Sequence, residues 1–67
     1  MQAFFTNPNV QHFVGQPEMV GYLANAVAVD ILRKLNVDAR PAAMAWLKTA
    51  YPAIHAAVLA DYPQHAA

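Results

Sequence analysis

This sequence predicts an all-α fold, a small bundle of three to four helices, on three observations. Alanine, the strongest helix former, fills 15 of the 67 positions, and leucine and methionine add to it. Five prolines stand shortly after cap-type or turn residues, where a missing N–H has no intrahelical partner to lose. β-Branched residues are few and no Asn-Gly or Asp-Gly pair is present, so no segment reads as a strand or hairpin.

The N-terminal stretch 1–7 reads as a short apolar arm carrying Phe4 and Phe5. These two rings are either anchors for a neighbouring subunit or a lid over the chain's own core, with one acting as an entry staple. Thr6 and Asn7 then offer cap oxygens ahead of Pro8, and the spacing predicts a helix over 8–14. Gly15 suits a left-handed stop after Val14.

A long central helix is expected over about 17–35. Pro17 fits its first turn and Glu18 complements the positive end of its dipole, with Arg33 and Lys34 complementing the negative end. Asn36 is expected to close it in the left-handed region. At about 100° per residue, Val20, Leu23, Ala24, Val27, Ile31 and Leu35 share one broad face. Met19, Tyr22, Ala26 and Val29 share another, and Ala28 and Leu32 fall on the opposite flank.

The segment 41–60 reads as a further helix that Pro52 must kink or split, because proline clashes with the preceding turn and disfavours helical geometry at Tyr51. A weak internal echo agrees with a split. Asp38-Ala-Arg-Pro-Ala and Thr49-Ala-Tyr-Pro-Ala share one frame, with Asp38 and Thr49 as the expected caps. Pro63, after Asp61, is expected to end the last helix and leave a frayed tail over 63–67 that includes His65. The long helix is expected to pack antiparallel against the 41–60 element. One domain should cover 1–67, since the chain has no length for a second.

Composition excludes several chemistries. There is no cysteine and no serine, so disulfides, thiolate nucleophiles, zinc fingers and serine hydrolysis are out. Gly15 and Gly21 are the only glycines, too few for a phosphate-cradling loop. The four carboxylates are scattered and form no readable acid/base pair. No catalytic residue, metal site or cofactor is therefore expected. His12, His55 and His65 come from three separate segments. A flat cofactor such as haem, held near His55, Trp46 and Tyr51 in a cavity between two copies, is the alternative functional reading.

Net charge is zero, and the four cations Arg33, Lys34, Arg40 and Lys48 are balanced by four acids. Nucleic-acid binders normally carry a basic stripe, so a helix-turn-helix regulator using Arg40 and Lys48 ranks below the other readings. The apolar run from Met19 to Leu32 is interrupted by Asn25 and Asp30 and falls short of the roughly 20 residues a membrane span needs. With no basic leader ahead of Arg33 and no cysteine, a cytoplasmic protein without membrane or nucleic-acid partners is the expectation.

Association is what remains. Hydrophobic residues make up 58% of the chain and charged ones 12%, against roughly 45–50% and 25% in ordinary domains. A helix apolar nearly all round must be surrounded, and the other helices look too short to wrap this one. Small-residue strips (Gly21, Ala24 and Ala28; Ala53 and Ala57; Ala56 and Ala60) would allow close helix approach within the core or across an interface. The expectation is a non-enzymatic docking or assembly module, a two-fold homodimer or a complex with another protein. Its candidate interface residues are Phe4, Phe5, Tyr22, Ala26, Val29, Trp46 and Tyr51; the aromatics supply large contact area, though Trp46 and Tyr51 serve equally well as plugs for the core.

Overall fold

The computed structural model describes residues 1–65 and is entirely helical in its regular structure. Helix α1 covers Gln2–Phe5, so the expected arm is in fact one helical turn, and Phe5 sits in the core at 3% exposure. Helix α2 is Pro8–Val14, with the Asn7 side chain accepting from the Asn9 N–H. Gly15 does not adopt the left-handed conformation; its φ is −75°. The stop comes instead from Pro17, which holds Gln16 extended at ψ 109°, as the residue before a proline prefers.

The long helix spans 17–34 without interruption but changes pitch along its length. It opens with a 3₁₀ turn at Pro17–Met19, becomes α-helical over Val20–Ala26 (α3), widens into a π-helical segment at Val27–Ile31 and tightens into a 3₁₀ turn at Leu32–Lys34. Leu35 is already extended at ψ 150°. Asn36 is not the left-handed closure of this helix, because its ψ is 137° and its side chain accepts from the Asp38 N–H. It therefore caps the following turn, Val37–Ala39, which displaces Asp38 from the expected cap role.

Helix α4 covers Arg40–Ala50 and α5 covers Pro52–Asp61. The split at Pro52 is complete: Tyr51 stands at φ −140°, ψ 72°. Thr49 does not cap α5; its hydroxyl donates back to the Ala45 carbonyl inside α4 at 3.3 Å. Pro63 follows the end of α5 as expected but opens a 3₁₀ turn at Pro63–His65. Residues 63–65 of the expected frayed tail are thus ordered in a turn, and positions 66 and 67 lie outside the described residues.

Every α-helix contributes to one core. Phe5 from α1 and Val10 from α2 join Leu23, Ala24, Val27, Ala28 and Leu32 of the long helix, Met44 and Leu47 of α4, and Ile54 and Val58 of α5. No polar or charged side chain is buried among the described residues. Helix α5 packs on both α3 and α4, so it forms the middle of the bundle. Ala24 and Ala28 are buried and permit this close packing, whereas Gly21 has open space around its Cα. Ala53, Ala56 and Ala60 face solvent, and only Ala57 of the α5 strips leans on the core.

The π segment explains one departure from the wheel. An i→i+5 turn holds more residues than an α-turn, so each residue advances less around the axis. Leu32, expected on a flank, arrives on the core side and is fully buried. The apolar surplus is correspondingly smaller than composition implies. Among the described residues only Tyr22 and Val37, at 59% and 66% exposure, are large apolar side chains in open solvent. The other four α-helices cover the long one better than their individual lengths suggested.

Candidate functional site: an outer helix face and a basic groove

The seven expected interface residues fall into two groups. Phe4, Phe5, Trp46 and Tyr51 form one aromatic cluster inside the chain. The Phe5 and Tyr51 rings stack with centroids 4.4 Å apart and planes 20° from parallel. Phe4 meets Phe5 edge-on at 5.0 Å, and Trp46 lies 5.7 Å from Phe5 and 5.9 Å from Tyr51. Phe5 is buried and the other three are half-buried against the core. The lid reading of the N-terminal aromatics therefore describes what the structure places there.

Gln11, which nothing in the sequence marks out, ties this cluster together. Its Nε2 donates to the Phe5 carbonyl and, at 2.9 Å, to the Tyr51 hydroxyl. The signal in the sequence was only a polar residue on the exposed side of a short helix. Asn25, an interruption of the apolar helix in the sequence, accepts the Tyr62 hydroxyl proton at Oδ1 and fastens α3 to the end of α5.

Tyr22, Ala26 and Val29 lie elsewhere, on the outer face of the long helix. With Met19 they form a stripe at spacings of three, four and three residues. Met19, Ala26 and Val29 are half-buried yet are not packed against the core cluster, and Tyr22 is open. Phe13 of α2 borders the stripe, its ring 6.0 Å from that of Tyr22 and nearly perpendicular.

The groups expected to carry chemistry are dispersed or otherwise engaged. His12 is exposed and accepts from Gln16 Nε2 at 2.9 Å. Arg40 donates from Nη2 to the Arg33 carbonyl at 3.1 Å, closing the end of the long helix, so one of the two cations considered for DNA contact serves the fold. Among the described residues no set of three potential metal ligands comes together, and no helix is long and apolar enough to cross a membrane.

His55 does not share a pocket with Trp46 and Tyr51. It lies instead in a groove of about 280 Å³ along the α4–α5 hairpin, with Lys48, Met44, Leu59 and His65 among its walls. A smaller cavity of about 200 Å³ lies at the Tyr51–Pro52 junction, lined by apolar side chains that include Val14, Val20 and Ile54. No protein-family model, curated protein or solved structure matches this chain.

Proposed function

We propose that the protein is a non-enzymatic docking module that acts through the outer face of its long helix, with a second copy of itself as the partner. The observation that carries this reading is the exposure of Tyr22, 59% of whose surface is open, on a helix whose opposite face is fully buried. Met19, Ala26 and Val29 extend the apolar stripe to either side of it. Aromatic residues with an apolar surround are the usual centres of interface energy, and zero net charge gives little repulsion between copies.

Scale adds a requirement. A stable interface hides about 800 Å² per partner, roughly a fifth of the 4162 Å² this chain exposes. The stripe alone is too narrow, so flanking residues such as Phe13 belong to the docking surface. Burial at roughly 25 cal/mol per Å² of apolar area then supports a core that is small for a domain without disulfides or metal. The absence of cysteine fits a reducing compartment, and a cytoplasmic setting belongs to the same proposal.

Sedimentation equilibrium or light scattering at tens of micromolar tests it. Twice the 7.3 kDa chain mass is expected, and Val29→Lys should dissociate the pair. A well-folded monomer at every accessible concentration overturns the reading.

A further inference from the structure

We propose that the groove between α4 and α5 is a binding site for a small organic carboxylate. Its anionic end would be held by Lys48 and His55, and its carbon body seated on Met44, Ala45 and Leu59. This site lies within a single chain and stands independently of the docking face.

The hairpin builds it from two helix faces. Pro41, Met44, Ala45 and Lys48 sit at i, i+3, i+4 and i+7 of α4, one continuous stripe, and His55 and Leu59 sit four apart on α5. Residues so spaced are surface neighbours on a helix. Lys48 and His55 lie close to the Tyr51 junction, on either side of it, so the hairpin places both toward its closed end. The turn at Pro63–His65 brings His65 into the wall as well. The break at Pro52 is what folds α5 back along α4 and creates the groove.

Charge and chemistry select the ligand class. Three of the seven basic side chains, Lys48, His55 and His65, line this one groove, and among the described residues no carboxylate side chain lines it. The remaining walls are apolar, so an inorganic anion would pair with Lys48 and leave the surfaces of Met44 and Leu59 uncovered. At about 280 Å³ the groove is at the lower limit of ligand pockets, which run from roughly 300 Å³ upward. A short-chain carboxylate fills it; a macrocycle does not. The smaller cavity at Tyr51–Pro52 has no charged group to orient a ligand.

Titrating the full chain with hexanoate, followed by NMR, tests the assignment. Saturable shifts are expected at the Met44 and Leu59 methyls and at the His55 and His65 rings, with a dissociation constant on the order of 1 mM for so small a ligand in an open groove. Lys48→Met, on an exposed side chain, should leave the far-UV spectrum unchanged and weaken binding about tenfold, the loss of one charge-assisted contact. Val29→Lys should bind hexanoate as the wild type does, which separates this site from the docking face. Three results overturn the proposal: hexanol producing the same saturable shifts, inorganic phosphate binding as tightly as hexanoate, or no saturation by about 50 mM, far above the expected constant.

Discussion

The rings of Phe5 and Tyr51 stack 4.4 Å apart, joining the first helical turn of the chain to the junction between its last two α-helices. Phe5 is 3% exposed, and its carbonyl and the Tyr51 hydroxyl share one donor, Gln11 Nε2. The N-terminal turn is thus held to the hairpin by a ring stack and by two hydrogen bonds from a third helix. Phe→Ala changes in packed cores cost about 3–5 kcal/mol, and a chain of 67 residues has a total stability of roughly 3–10 kcal/mol at the usual 0.05–0.15 per residue. Phe5→Ala should therefore lower the melting temperature by at least about 12 °C, read by near-UV circular dichroism. Phe5→Leu keeps most of the apolar volume and loses mainly the stacking, worth about 0.5–1.5 kcal/mol. Equal, small effects from both changes would show that α1 is not part of the cooperative unit.

The starts of α2, the long helix and α5 were legible because proline acts locally, whereas α1 has no proline to mark it and was not. Pro8, Pro17 and Pro52 each constrain themselves and the residue before them, and the starts and the split follow from that alone. Caps were less legible. Asn36 and Thr49 each had two local uses, and the choice depended on what the next element required: Asn36 turned to Asp38, and Thr49 turned back to Ala45. The candidate site was least legible. Phe4, Phe5, Trp46 and Tyr51 carry no sequence mark that separates a core aromatic from an interface one, and only the fold shows that they pack on one another, with Phe5 buried and the other three half-buried. The groove is a product of the angle at Tyr51, which the sequence implies, and of the return of His65, which it does not.

The π segment makes a prediction that a uniform helix does not. On an α-helical wheel Leu32 lies on a flank and Leu23 on the core face. In the structure both are fully buried. Leu→Ala at either position should cost about 2–5 kcal/mol, the range for fully buried leucines. Urea unfolding of the pair provides the measurement. A cost below about 1 kcal/mol at Leu32, the scale of surface changes, would mean that the helix runs regularly and leaves Leu32 outside.

Tyr62 and Asn25 test a tertiary hydrogen bond near the surface. The Tyr62 ring packs against the core while its hydroxyl donates to Asn25 Oδ1 on α3. Asn25 itself is exposed, so an unpaired partner can turn to water, and the net value of such a bond is about 0.5–1.5 kcal/mol. Tyr62→Phe should cost that amount and Asn25→Ala a similar one. The double variant should cost little more than either alone, because both remove the same bond. Additive losses would show that the two side chains act separately.

Gly21 is where stability can be raised. It lies inside α3, its φ is not positive, and a Cβ built there meets nothing within 4 Å. Glycine in a helix interior is destabilising by roughly 0.5–1 kcal/mol relative to alanine, through the larger entropy it surrenders on folding. Gly21→Ala should therefore stabilise the chain by that amount, about 2–8 °C in melting temperature for a domain of this size. The position lies off the stripe of Met19, Tyr22, Ala26 and Val29, so the gain should appear equally at low and high protein concentration. It should also appear equally in the Val29→Lys background. If Gly21 itself sits in a close helix–helix contact between copies, the added methyl would instead reduce the association measured by sedimentation, and the melting temperature would fall as concentration rises relative to wild type. Thermal scans of the four variants at two concentrations decide between these outcomes.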